Sequence, residues 1–425
     1  METMSLASLM SGMGQAPAQL DSGDTAWVLA SSALVLLMTP GLGFFYGGLA
    51  RRKNAAATIM HSFMTIALVS VVWVLWGYSL AFGPDVGSII GNLDWLGLNN
   101  VSAMEAGPYS KTIPHQAYMI FQAMFAVITP ALVTGAFAER MKFSTFVVFI
   151  ILWLTFVYAP VAHWVWGGGW LGQLGALDFA GGTVVHINSG VAALAAALIF
   201  GRRVGFGREP MEPHNIPFVV LGAALLWFGW FGFNAGSAVA ADGTATNAFV
   251  VTNTATAAAA ISWVIMSWTF GKKPSVVGAA SGAVAGLVAI TPAAGFVGPI
   301  PSIIIGGVAG IVCYASVQLL IKLKVDDSLG VWGVHGIGGT WGALATGIFV
   351  GVQFAPAGGQ TGLLLGNVNQ FVNQIIAVAA SWAWSFVVTS IILLVLKATM
   401  GLRVKEQEEE AGLDVSQHAE RAYSE

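Results

Sequence analysis

Polar and apolar positions along the chain alternate in blocks, with long apolar runs separated by short charged clusters. Eleven runs are about 20 residues or longer, enough to cross a bilayer as helices. They cover Thr25–Ala50, Ala55–Phe82, His115–Ala138, Phe143–Trp166, Thr183–Gly201 and Pro217–Ala240. Ala245–Phe270, Ser275–Thr291, Pro301–Ile321, Gly333–Gln353 and Gln370–Leu396 follow. Barrel strands would be about ten residues of alternating polarity, and these runs are too long and too uniformly apolar for that. The pattern predicts an all-α polytopic membrane protein with eleven transmembrane helices.

Composition sharpens this reading. Only 9% of the 425 residues are charged, against about 25% in a soluble protein. A cytosolic globular enzyme, a disordered chain and a nucleic-acid binder are thereby excluded, and the net charge of −3 leaves no basic patch. The single cysteine, Cys313, rules out internal disulfides and multi-cysteine metal clusters.

Placement of the positive charges predicts orientation. Arg51, Arg52 and Lys53 follow the first run, Arg140 and Lys142 the third, and Arg202, Arg203 and Arg208 the fifth. Lys272 and Lys273 follow the seventh, Lys322 and Lys324 the ninth, and Lys397, Arg403, Lys405 and Arg421 the last. Only Lys111 lies in a loop of the other set. This alternation puts the N-terminus outside and the C-terminus inside, and an even number of spans would break it. Three regions follow: an extracytoplasmic tail or weak leader (1–24), a membrane domain (25–400) and a Glu-rich cytoplasmic tail (401–425). The location expected is the cytoplasmic (inner) membrane.

An offset of 149 residues aligns Val185, His186 and Gly190 with Val334, His335 and Gly339. Ala196, Ile199 and Phe200 likewise meet Ala345, Ile348 and Phe349. Five spans followed by five more would oppose the two halves, as in transporters built from inverted repeats with the substrate route between them. Span eleven lies outside the repeat. Ionisable residues inside a span are functional candidates by default. His186 and His335, at matched positions, are therefore assigned to a shared pore rather than to packing. Zinc needs three or four ligands, which this pair lacks, so no metal or cofactor is expected. Asp178, just ahead of span five, suits a helix cap, with stabilisation of an arriving cation as the alternative. Aromatics near the span ends, Phe121, Phe125, Trp164, Trp166 and Trp170, suit an interfacial belt or a cation cage. Glycine rows such as Gly43–Gly47, Gly278–Gly282–Gly286, Gly306–Gly310 and Gly338–Gly342 suit close helix packing.

These residues lie in segments that resemble the ammonium transporter (Amt/Rh) family, in its bacterial Amt branch. The segments are PGLGFFYGGLARRKN (40–54), FQAMFA (121–126), AHWVWGGGWLGQLGALDFAGGTVVHI (162–187), GRRVGFGR (201–208), PHNIPFVVLGAALLWFGWFGFNAGSA (213–238), DDSLGVWGVHGIGGTWG (326–342) and the tail from 401. The resemblance implies an eleven-helix fold with one pore in each subunit of a homotrimer. His186 and His335 match the family's hydrogen-bonded pore histidines. Phe125, Trp166 and Ser237 match its outer ammonium site, and Phe125 and Phe233 its ring gate. Asp178 matches the acid that supports that site without touching substrate. The tail matches a segment coupling subunits, and PII-class signalling proteins dock on the cytoplasmic face of bacterial members. One departure stands at 330–335, where the family often has Asp-Val-Phe-Gly-Val-His and this chain has Gly330 and Trp332 in place of the Asp and Phe. It touches the inner mouth and leaves the histidines intact.

The function expected is recruitment of ammonium (with methylammonium as an analogue), deprotonation at the ring gate and conduction of ammonia past the histidines, with separate, electrogenic proton transfer. The rival reading is an ammonium sensor acting through a cytoplasmic partner. No catalytic triad or Cys–His arrangement is visible, so an enzyme is not expected.

Overall fold

The protein's computed structural model describes residues 19–423, so the 1–18 part of the expected leader lies outside the described residues. Nine helical runs among the described residues are long and apolar enough to span a membrane. They are α1 (Ser22–Leu49), α2 (Arg52–Phe82), α3 (His115–Phe137), α4 (Phe143–Leu174), α5 (Gly182–Phe200), α6 (Ile216–Ala238), α7 (Gly243–Gly271), α9 (Pro299–Leu323) and α11 (Val368–Thr399). Of the other two expected spans, α8 (Val276–Ile290) is a shorter apolar helix, and α10 (332–349) joins the turn Trp332–Gly336 to the helix Ile337–Phe349. Polar side chains start several helices by accepting an otherwise orphaned backbone N–H. Asp21 accepts from Asp24, Asn215 from Phe218, Asp242 from Ala245, Ser275 from Gly278 and Asn367 from Gln370.

Small residues set the packing, as the glycine rows predict. A Cβ at Gly282 would lie 2.6 Å from Cβ of Trp263, one at Gly306 2.0 Å from the Ala255 carbonyl, and one at Gly342 2.3 Å from the Ala289 carbonyl. An equally close approach, at the centre, follows the repeat offset. A Cβ at Gly190 would sit 2.0 Å from the Gly336 nitrogen, and one at Gly339 3.0 Å from both the Gly182 oxygen and Cβ of His186. Each glycine of the matched pair thus seats its helix against the histidine-bearing turn of the other.

The predicted loops of positive charge meet at one end of the bundle, together with the tail. Glu139 pairs with Arg51 (2.6 Å) and Arg203 (3.4 Å), and Asp326 with Arg203 (2.8 Å) and Arg140 (3.6 Å). Arg140 lies just past α3 and is fully buried. Burial alone would raise the Asp326 carboxyl. The hydrogen bonds of Arg203 and the charge of Arg140 outweigh it and hold that carboxyl below its usual value. Its contribution to stability is therefore present above the ordinary carboxylate range and lost as pH falls through the lowered value.

The tail folds onto this end as α12 (Glu406–Ala411) and α13 (Leu413–His418). Glu409 pairs with Arg403 and accepts from the Val204 N–H (2.7 Å), while Asp414 accepts from the Ala56 and Ala57 N–H groups at the start of α2.

Gly190→Ala should give little folded protein, because its new atom meets backbone that no rotamer change can clear. Gly43→Ala, where a Cβ would find only ordinary contacts at 3.4 Å and beyond, should stay within about 1 kcal/mol of wild type. Folded yield and melting temperature in detergent decide. A normal Gly190→Ala melt would refute the crossing.

Candidate functional site

Asp178 organises the start of α5. Its Oδ1 accepts from the Gly181 and Gly182 N–H groups (2.8 and 2.6 Å), and its Oδ2 from those of Thr183 and Val184 (2.7 and 3.2 Å) and from the Thr183 hydroxyl. Its backbone carbonyl accepts from Nε1 of Trp166 (2.8 Å). One residue thus shapes the turn leading to His186 and fixes the Trp166 ring. Asp178 thus caps the turn, with both carboxylate oxygens taken up by donors.

Both histidines sit on wide π-type turns, Gly182–Ile187 and Trp332–Gly336. The His186 N–H reaches back five residues to the Gly181 carbonyl (3.0 Å). Such turns often mark functional positions because they re-aim a side chain within a helix. The result is a direct contact, His186 Nδ1 to His335 Nδ1 at 3.3 Å. A hydrogen bond between two ring nitrogens requires one to carry the proton and the other to offer a lone pair. Both residues are buried, and Nε2 of His186 has no protein partner.

Aromatic rings lead up to this pair. Phe125 meets Trp166 edge-on at 5.9 Å and lies 4.3 Å from Phe233. Phe233 in turn stacks on His186 at 5.9 Å, beside Trp230 at 5.3 Å. Trp230 is held by its Nε1, which donates to Thr291 (2.8 Å). The Ser237 hydroxyl donates to the Phe233 carbonyl (2.8 Å), which leaves its lone pairs free to accept.

Four spaces run in series along these residues. A cavity of about 310 Å³ is lined by Phe125, Trp166, Ser237, Gln122 and Tyr118. Beyond the Phe125–Phe233 pair lies a void of about 10 Å³, walled by His186, His335, Trp230 and aliphatic side chains. That is room for about one water-sized molecule. His335, Phe45 and Val284 also wall the next void, of about 20 Å³. Its Ser281, Leu329, Gly330 and Val334 continue into a cavity of about 870 Å³ at the tail end.

All seven site residues expected from the sequence therefore lie along or against one passage. Three further residues were missed. The Oε1 of Gln122 is buried without a partner in a residue lining the first cavity; its signal was an amide inside an apolar run. Trp230 was passed over among 16 tryptophans. Asp327 lines the tail-end cavity, a carboxylate that the sequence reading did not single out. Among the described residues no group of three His, Cys, Asp or Glu could hold a metal.

Residues 26–423 match the model of the Ammonium Transporter Family. An ammonium transporter of Bacillus subtilis is 53% identical over 405 residues, covering 95% of this chain and 99% of its own. The crystal structure of Saccharomyces cerevisiae Mep2 superposes with a TM-score of 0.85 at 39% identity, covering 91% of each chain. A sensor Amt protein of solved structure matches with a TM-score of 0.86 at 30% identity, covering 93% of this chain and 98% of that one.

Asp178→Ala would strand four backbone donors, at about 1–3 kcal/mol for each that stays buried. The variant should lose most of its folded yield or melt far below wild type. Wild-type melting would show that these bonds do not hold the site.

Proposed function

The chain belongs to the ammonium transporter family, and from that membership we propose that it takes up ammonium by splitting it into ammonia and a proton inside the passage. As a family member it is a multi-pass membrane transporter rather than an enzyme. Eleven helices cross the cytoplasmic membrane, as an inverted five-plus-five repeat and a last helix, with the N-terminus outside and the tail inside the cell. The meeting of the positive loops with the tail at one end supports this sidedness.

The observation that carries the mechanism is the 3.3 Å contact of His186 and His335 in a void with room for about one water-sized molecule. A bare cation moved into a medium of such low polarity costs of order 20 kcal/mol before compensation. Removing its proton is cheaper. With a lysine-like pKa of about 10.4, deprotonation at pH 7 costs about 4–5 kcal/mol.

Ammonium is captured in the outer cavity, against the faces of Trp166 and Phe125. It donates hydrogen bonds to the Ser237 hydroxyl and to Oε1 of Gln122. It loses its proton at the Phe125–Phe233 pair, and ammonia passes the histidines. The unequal protonation of the two imidazoles lets the proton follow separately from ring to ring, so net transport moves charge. Sodium and potassium ions, which can neither donate hydrogen bonds nor shed a proton, are refused. Methylammonium is accepted and moves more slowly. Subunits assemble as a homotrimer in the bilayer, and the tail-end face receives a PII-class protein. The higher identity to a transporter than to the sensor Amt protein supports transport over sensing.

In proteoliposomes an ammonium jump should drive a transient current and a potassium jump none. His186→Ala or His335→Ala should abolish the ammonium current or admit potassium while the protein stays folded. Wild-type rate and selectivity in both variants would refute the histidine role. Trp166→Leu should raise the half-saturating ammonium concentration more than it lowers the maximal rate, and an unchanged half-saturation would count against the aromatic capture site.

A further inference from the structure

The passage ends on a carboxylate that the mechanism above does not use. Asp327 lies in the loop between α9 and α10, on the wall of the tail-end cavity. Its neighbours Leu329 and Gly330 wall both that cavity and the narrow void below His335. The Oδ2 atom accepts from the Trp332 N–H (2.8 Å) and so caps the turn that carries His335. The Oδ1 atom is buried and has no hydrogen-bond partner. Capping needs only one acceptor oxygen, as an Asn or Ser would supply. The second oxygen, which has no hydrogen-bond partner, is costly to bury in its charged form.

We propose that Asp327 is the proton-exchange group of the inner mouth, where ammonia leaving the histidine passage becomes ammonium again at the free Oδ1. The proposal rests on the split-transport reading above. In the step, the carboxylic acid of Asp327 gives its proton to ammonia: an O–H bond breaks, an N–H bond forms, and carboxylate and ammonium result. The carboxylate then takes up the proton that ammonium surrendered at the ring gate, delivered from His335 through water in the cavity.

The surroundings suit this exchange. Burial pushes the Asp327 carboxyl up to about 6, against the opposing pull of the Trp332 and Val331 N–H groups and the positive charge of Arg140, with Asp326 adding to the rise. A group near neutrality exchanges protons efficiently in both directions. Tyr46 of α1 is also close by, with its hydroxyl engaged in donating to the Leu132 carbonyl (3.0 Å). Arg203 is turned to Asp326 and Glu139. Arg202, Glu209, Lys273, Tyr314 and Lys324 also lie on the cavity wall.

The test is an ammonium-jump current in proteoliposomes, read together with a lumenal pH dye, while the pH on the tail side is stepped from about 5 to 8, either side of the ordinary histidine range. In wild type the current should fall as that pH drops below about 6, because after each transfer to ammonia protons from the bulk then refill Asp327 ahead of the relayed one. Asp327→Asn, which keeps the cap, should cut the current about tenfold or more and remove the inflection, while ammonia entry still turns the lumen alkaline. Asp327→Ser should behave likewise, and Asp327→Glu should restore current and inflection. Wild-type current and pH profile in folded Asp327→Asn or Asp327→Ser would overturn the proposal and leave split transport standing. Alkalinisation without current in the wild type itself would remove the proton path and the proposal with it.

Discussion

Two imidazole rings held nitrogen to nitrogen in an apolar void are the constraint around which this protein is arranged. A contact of 3.3 Å between Nδ1 atoms requires that α5 and α10 cross almost backbone to backbone. That crossing exists because residues 190, 336 and 339 are glycine. It also requires both rings to turn inward from helices whose regular geometry would aim them elsewhere, and the π-type turns at Gly182–Ile187 and Trp332–Gly336 supply the change of aim. Asp178 then closes the open start of one turn and Asp327 caps the other. The same acid types in the same place relative to each histidine serve the two halves of the repeat, with one difference. Asp178 spends both oxygens on donors, whereas Asp327 keeps one free.

The two ends of the passage use opposite electrostatics. At the Trp166 end, the groups facing the cavity are ring faces, a hydroxyl and an amide oxygen. Such a site can hold a cation by its hydrogen bonds and by ring quadrupoles, yet it contains no full negative charge that would trap it. At the tail end, buried arginines and carboxylates form a connected network through Glu139, Arg203 and Asp326. Breaking one partner of such a network leaves an uncompensated buried charge, so the loops between spans and the tail that joins them through Glu409 are fixed as one body. The tail-side mouth is therefore tied together where it meets Asp327, and it widens into the cavity of about 870 Å³ past Gly330.

Much of this was legible in the sequence because the physics behind it is periodic or costly. Apolar runs had to become helices, since a bilayer leaves unpaired backbone groups no partner. Histidines at one offset in two halves stood out because ionisable groups in spans are rare. The Phe125, Phe233, Trp166 and Ser237 cluster was reachable only through the family resemblance, as nothing in composition separates these rings from an interfacial belt. The π-type turns left no signal, because they arise from how α5 and α10 meet rather than from the preference of any residue. Gln122 and Trp230 were missed for a related reason. Each owes its importance to an atom's surroundings, namely an unpartnered amide oxygen and a ring stacked on a histidine, and surroundings are set by tertiary contact. Asp327 did leave a signal, since the offset of 149 residues that pairs the histidines also aligns it with Asp178.

The central claim is that the proton and the ammonia take separate routes past the ring gate. The most direct test compares the ammonium-jump current of the wild-type protein in proteoliposomes made in ordinary and in heavy water. Transfer of a proton along hydrogen bonds slows when deuterons replace protons, so the account predicts a current several-fold smaller in heavy water, with ammonia entry still measurable. A current that differs only by the change in solvent viscosity would mean that ammonium crosses intact, and would contradict it.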